Sequence, residues 1–223
     1  MQRISIILFF LGFLSIAVNC SSPAKINNFK PELDDAIPLA YDNSPSYIHL
    51  PIAIQLKDID LIADYWLKSE PDFLINMGVD LNKLPSRIEL RKMLTEQINS
   101  SLKDKKSYAL IWELDGKQIG HSNVNKIEYG KQATMHLHLW HSINRKKGIG
   151  TALVRKSLPF YFEKLKIKKL ICEPYTLNPA PNKVLEKIGF KFIRKYKTIP
   201  GSLNFEQEVN RWEISKDTFQ LNN

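Results

Sequence analysis

Cysteine is almost missing from this chain: Cys20 and Cys172 are the only two among 223 residues, too few for a disulfide framework or a cysteine-held metal cluster. Cys172 sits in the apolar run "KKLICEP", which predicts a buried inert thiol, because a reactive one needs an exposed electropositive setting. Histidine is also sparse. His49, His121, His136, His138 and His141 include no HxxxH pair, so no metal site is expected. Internal repeats are absent, which argues against solenoids and propellers. Acid is scarce between 145 and 197, where Glu163, Glu173 and Glu186 face fifteen Lys or Arg, a local net of +12 in a chain of net +9. Such asymmetry points to a polyanionic partner, which leaves nucleic acid, a membrane surface or a polyphosphorylated cofactor open beside a merely solvated lysine-rich face. Exposed aromatics do not interleave with these cations, so no specific nucleic acid is expected.

What is present fits one ordinary domain with an appendage, since 43% of residues are hydrophobic and can fill a single core. Residues 1–20 begin with Arg3 and continue with an uncharged apolar stretch over 4–18, ending at Cys20. The stretch is short for a membrane span and has the length of a signal peptide's apolar core. It resembles a bacterial lipoprotein signal, although Asn19 and Ala17 depart from that pattern. The expectation is a signal peptide or hydrophobic anchor over 1–20, a flexible tether over 21–45, a folded domain over 46–217 and a tail over 218–223. Membrane attachment through the N-terminal segment follows, with a cytoplasmic protein as the alternative.

Within the domain, "YIHLPIAIQL" (47–56) reads as an edge strand because it contains Pro51. Asp58 is a candidate N-cap for a helix over 58–69, with Ile59, Ile62, Ala63 and Trp66 at helical spacing. Residues 70–85, punctuated by Pro71, Gly78 and Pro85, read as a long irregular connection. Ser86 and Glu89 then have the spacing of a capping box before an amphipathic helix. From 107 the period changes to two: a hairpin turns at Asp115–Gly116, and "ATMHLHLW" follows. Met135, Leu137 and Leu139 fall on one face of that strand, with Thr134, His136, His138 and Trp140 on the other. A helix over 150–165 kinked at Pro159, a strand at "KKLICEPY", a short helix stopping at Gly189 and two last strands complete the order.

Between strand and helix, "NRKKGIG" places Arg145, Lys146 and Lys147 before Gly148 and Gly150. Glycines at a helix start leave backbone N–H groups open to an anion, with the positive end of the helix dipole behind them. This R-x-x-G-x-G turn, the element order and "NPAPNKVLEKIGF", with Asn178, Lys187, Gly189 and Phe190, resemble the GNAT N-acetyltransferase superfamily, and RimJ/RimL-type members most. The resemblance covers roughly 46–217. It implies a mixed α/β fold with a central, mostly antiparallel twisted sheet, helices on both faces, and a splay between strands 4 and 5. It also implies acetyl-CoA as co-substrate, no metal, and a primary amine of a small molecule, peptide or protein as acceptor. The pyrophosphate of CoA would lie on Lys146, Lys147, Gly148, Ile149, Gly150 and Thr151, with Arg145 adding charge. The pantetheine arm would pair with backbone near His138, Leu139 and Trp140, and Asn178 would hydrogen-bond the cofactor.

The sequence departs from the family at two places. Leu185 stands where many members have an acidic tyrosine, and Pro181 replaces a small residue. The strand over 134–140 carries no carboxylate, so His136 and His138 are the candidate bases, with His121 a third; the alternative is that they are polar groups on a half-exposed sheet face. The resemblance frames the acceptor with 72–87 and 199–207, where Asp72, Asp80 and Glu206, with Glu208 just beyond, are available to draw in a cation. A non-catalytic CoA- or ligand-binding module of the same fold is the alternative to an enzyme.

Overall fold

The computed structural model describes residues 47–145 and 147–221. The expected signal or anchor over 1–20, the tether over 21–45 and Lys146 lie outside these residues. Seven strands form one sheet: β1 (Ile52–Ala53), β2 (Ser107–Leu114), β3 (Lys117–Glu128), β4 (Gln132–Leu139), β5 (Lys169–Cys172), β6 (Lys191–Thr198) and β7 (Gln207–Ser215), in the order β1-β2-β3-β4-β5-β7-β6. Every neighbouring pair is antiparallel except β4 and β5. That exception follows from the connection, because a helix crossing over one face returns the chain parallel to the strand it left.

Among the described residues three α-helices precede the main hairpin: α1 (Ile59–Leu67), α2 (Pro71–Asn76) and α3 (Arg87–Asn99). Three follow: α4 (Ile149–Lys164) between β4 and β5, α5 (Pro179–Ile188) after β5, and α6 (Lys216–Leu221) at the end. The two groups cover opposite faces. On one face Leu110, Trp112, Val124, Met135, Leu137 and Leu139 pack against Leu153, Leu158 and Tyr161 of α4 and Leu185 of α5. On the other, Ile59, Ile62 and Trp66 of α1, Leu74 of α2 and Leu90 and Leu94 of α3 form a second core with Ile111 and Leu203. Full burial of each such side chain contributes about 1.5–3 kcal/mol. A cross-sheet polar contact fixes α4: Trp112 Nε1 donates to Ser157 Oγ at 2.9 Å, and the Ser122 and Tyr161 hydroxyls lie 2.7 Å apart.

Local signals placed most boundaries. Asp115 and Gly116 both take positive φ at the β2–β3 turn, Gly189 ends α5 with φ 100°, and Ser86 and Glu89 make the reciprocal capping box of α3. Four expectations need correction. The strand expected over 47–56 shrinks to Ile52–Ala53 plus an isolated bridge between Ile48 and Leu114, because Pro51 interrupts the ladder. The connection after α1 contains α2, whose Pro71 occupies a first-turn position that needs no N–H. Asp58 occupies the N-cap position of α1 but its side chain does not cap the helix: it is buried, and its carboxylate accepts from Gln55 N at 2.8 Å and Gln118 Nε2 at 2.9 Å. Residues 218–221, expected in a tail, belong to α6, where Phe219 packs into the first core.

Candidate active site

The parallel pairing of β4 with β5 stops early. Gln132, Ala133 and Thr134 pair with Lys169, Leu170 and Ile171, and nothing beyond is in register. Past Cys172 the chain stays with β7 instead, through a Tyr175–Val209 bridge and Asn210 N donating to Pro174 O at 3.0 Å. From Met135 onward β4 and β5 are therefore splayed, as the fold resemblance implies.

Backbone alternation decides which β4 residues face that gap. Cys172 Sγ donates to Met135 O at 3.1 Å and Arg145 Nη2 to Leu139 O at 3.2 Å, both from the β5 side. Trp140 N donates to Ile119 O on the β3 side, and a Cβ on Gly120 would collide with the His138 carbonyl oxygen. Leu137, of the same parity as Met135 and Leu139, thus turns its N–H and C=O into the splay. Leu139, one of the three positions expected to pair with an extended arm, has this orientation; His138 and Trp140 turn their backbone to β3.

Both helices after these strands start at the open end of the splay. Gly148 is the N-cap of α4 with φ 76°, and a Cβ built on it meets nothing within 4 Å; one on Gly150 meets only Leu139 Cδ1, at 3.5 Å. Neither glycine is demanded by packing. Together they leave bare backbone at the first turn, Ile149 to Thr151, with exposed Lys147 beside it. Asn178 is buried at the N-cap of α5, and its carbonyl accepts from Asn182 Nδ2 at 2.8 Å. Arg145 folds back onto the sheet, its guanidinium 4.8 Å from the ring of Phe73 in α2.

The second face of β3 and β4 carries a strip of polar rungs: His121 opposite His138, Asn123 opposite His136, and Asn125 opposite Thr134. All six are buried. The half-exposed face considered for these histidines is therefore ruled out, because α1 lies over it: the Trp66 and His138 rings are 5.2 Å apart. Burial lowers His121 and His136 to about 3 and holds His138 well below 6.5, with Lys126 adding to the effect at His136. All three imidazoles are neutral at pH 7.

Their tautomers follow from their neighbours. Trp140 Nε1 can only donate, so at 2.8 Å it makes His121 Nδ1 an acceptor and puts the proton on Nε2. Asn125 Oδ1 can only accept, so at 3.2 Å it takes the Nε2 proton of His136 and leaves Nδ1 a lone pair. The Tyr65 hydroxyl donates to Met77 Sδ at 3.4 Å and accepts from His138 Nδ1 at 3.2 Å, which leaves His138 Nε2 bare. Those two lone pairs, His121 Nε2 and both amide atoms of Asn123 have no hydrogen-bond partner. The strip therefore holds unspent donors and acceptors in one place, which buried polar groups rarely do outside working sites. Among the described residues no group of three or more His, Cys, Asp or Glu side chains is arranged to hold a metal.

The segments expected to frame an acceptor close over this face and grip each other. Asp80 N donates to Leu203 O, Lys83 Nζ to Asn204 O at 2.7 Å, and Asn204 Nδ2 to Gly78 O at 2.8 Å. The four acids expected to attract a cation differ in state. Asp80 pairs with Lys83 and Glu208 with Lys195, while Asp72 and Glu206 are exposed. Two residues beyond the sequence expectations join the site: Tyr65 and Asn123. The buried Glu173, past the end of the β4–β5 pairing, is held by Arg211 at 2.6 Å and the Tyr196 hydroxyl at 2.5 Å. Leu185 is core, so no hydroxyl acid stands there.

A family model described as an acetyltransferase (GNAT) domain matches residues 52–191. No curated protein matches the chain. Among solved structures, RimL, a ribosomal L7/L12 alpha-N-protein acetyltransferase in complex with coenzyme A, superposes with TM-score 0.62 at 17% identity, covering 75% of this chain and 94% of its own. Spermidine N-acetyltransferase from Vibrio cholerae, in complex with CoA and spermine, gives 0.61 at 18% identity, covering 80% and 99%. An uncharacterized protein from Bacillus halodurans gives 0.59 at 13%, covering 79% and 88%.

Proposed function

Because the chain belongs to the GNAT acetyltransferase family, we propose that it transfers the acetyl group of acetyl-CoA to a primary amine at the splay between β4 and β5. The observation that carries this is the free peptide edge at Leu137, flanked by a glycine-bared helix start on one side of the sheet and the unspent imidazoles on the other. The groups present fit the co-substrate. Backbone N–H groups from Gly148 to Thr151 hold its pyrophosphate, with Lys147 and Lys146 adding charge. Leu137 offers both its peptide groups and Leu139 its N–H to the pantetheine arm, since Arg145 already holds the Leu139 carbonyl, and Asn178 borders it. When bound, acetyl-CoA supplies the thioester whose acetyl group is transferred.

The chain's own groups do the rest. Leu137 and Leu139 position the carbonyl, and the covering helices exclude water from the strip. As the C–N bond forms and the C–S bond breaks, His136 Nδ1 or His138 Nε2 takes the proton that the amine loses, and that proton goes on to the departing CoA thiolate, which leaves as the thiol. Lowered so far by burial, these imidazoles cannot strip a proton from an ammonium ion; the amine arrives neutral, and positioning supplies much of the rate. Activity should accordingly rise with pH towards the amine's own pKa, without an inflection near 6.5. A limb near 6.5 that vanishes on changing either histidine would contradict the burial argument.

Thiol release from acetyl-CoA with a panel of primary amines tests the activity, and calorimetry with acetyl-CoA tests the cradle. For the cradle, Gly148→Ala is informative. Its Cβ enters open space, so the fold loses only the cost of a left-handed alanine, about 1–2 kcal/mol. The affinity for acetyl-CoA should fall about tenfold or more as the methyl group obstructs the approach of the anion. Unchanged affinity would remove the turn from the site.

The apolar stretch over 4–18 supports attachment of the folded domain to a membrane. No helix among the described residues is long and apolar enough to cross one. Fractionation with protease shaving of intact cells reads the outcome: a first residue downstream of Cys20 on a protected, soluble protein defeats it.

A further inference from the structure

Arg145 is a cation in an uncommon position. It is half-buried, Nη2 donates to Leu139 O at 3.2 Å, its Nε has no hydrogen-bond partner, and it forms no ion pair with a carboxylate of the described residues. It sits on the α1–α2 side of the sheet, opposite the face that α4 covers. Its guanidinium lies over Phe73, the Phe73 ring meets Tyr65 edge-on at 6.3 Å, and Tyr65 holds His138. Arg145 therefore stands at one end of the polar strip. At the other end Lys126 reaches across to Pro200 O at 2.9 Å.

Several acids of the surrounding elements are already paired: Asp60 with Arg87 and Arg91, Asp64 with Lys68 and Arg87, Asp80 with Lys83, Glu173 with Arg211 and Glu208 with Lys195. Glu70, Asp72, Glu89, Glu96 and Glu206 are exposed, and the buried Asp58 accepts from Gln55 N and Gln118 Nε2. A polycation that reaches the strip itself meets Arg145 at one end and Lys126 at the other. A guanidinium that has given up water without gaining an anion is the opposite case, because its planar fork matches a carboxylate in two parallel hydrogen bonds.

We propose that Arg145 is the subsite for a carboxylate carried by the acceptor, so that the amine acetylated belongs to an amino acid or to a peptide with an acidic first residue, and not to a polyamine. This rests on the acetyltransferase reading, and its test separates the two. Thiol release is measured with leucine against leucinamide, with aspartyl-alaninamide against asparaginyl-alaninamide, and with spermidine. The carboxylate-bearing member of at least one pair should be favoured about tenfold in kcat/KM, the worth of one charge-assisted pair. In Arg145→Met, which keeps an apolar stem over Phe73, that ratio should collapse to about one while the dissociation constant for CoA changes less than about twofold.

A preference for spermidine, or for neither member of both pairs, overturns the proposal. So does a large loss of CoA affinity in Arg145→Met, which would hand the arginine to the cofactor. A second measurement needs no turnover. With CoA saturating, millimolar N-acetylaspartate should raise the Tm of the unaltered protein and not that of Arg145→Met, and absence of the rise counts against the subsite. Failure of CoA itself to raise the Tm would instead defeat the acetyltransferase reading.

Discussion

Between pH 7.5 and pH 5.5 the protein is expected to lose about 4 kcal/mol of stability. The cause is the three buried imidazoles of His121, His136 and His138, all held below their ordinary pKa by burial. In the unfolded chain each takes up a proton below about 6.5; in the fold His121 and His136 stay neutral until about pH 3, and burial holds His138 neutral well below 6.5. The unfolded state thus binds more protons throughout that window, and stability, complete above 6.5, falls as pH drops through it. Each imidazole contributes about 1.4 kcal/mol over the whole of that window, or about 4 for the three. Urea unfolding followed by circular dichroism at the two pH values measures the difference. His121→Phe should remove about a third of the slope. A free energy of unfolding that is flat down to pH 5 would mean that the strip takes up protons while folded.

The second large effect concerns turnover. His136→Ala should lower kcat by about 10²- to 10⁴-fold, the usual worth of a positioned proton acceptor, with the CoA dissociation constant unchanged. Asn125→Ala should lower it less. It deletes the acceptor that keeps the proton on Nε2, so the ring then populates both tautomers and exposes its lone pair at Nδ1 only part of the time. If His136→Ala turns over normally, His138 Nε2 is the remaining bare nitrogen and its alanine variant should carry the loss. Normal turnover in the double variant would leave both rings as packing.

The sequence displays its fold wherever the signal is local. Asp115–Gly116, Gly189 and the Ser86–Glu89 box each set a backbone geometry within a few residues, and each is found where it was expected. The six residues of α2 span less than two turns, too few for a helical period to register, and Pro71 reads as a break unless the helix beginning there is already known. The site was half legible for a related reason. Glycines at a helix start announce an anion from their own spacing. The alternation of His136 and His138 with leucines announces a polar face, but not what covers it. Only the packing of α1 shows that this face is dry, and dryness is what moves the imidazoles. Asn123 was invisible as a site residue because its position opposite His136 depends on strand register, which a single chain does not spell out.

The clasp between residues 78–83 and 203–207 bears on how such a chain diversifies. Gly78 accepts from the side chains of both Asn204 and Gln207, and Lys83 reaches back to Asn204, so neither segment holds its shape without the other. A side chain at Gly78 would strike Gln207. Two stretches more than a hundred positions apart are thus inherited as one part. A change of diet for this fold should come from exchanging both together, as a matched pair grafted onto an unaltered cofactor half, while a graft of either alone should yield a chain that folds poorly and accepts nothing.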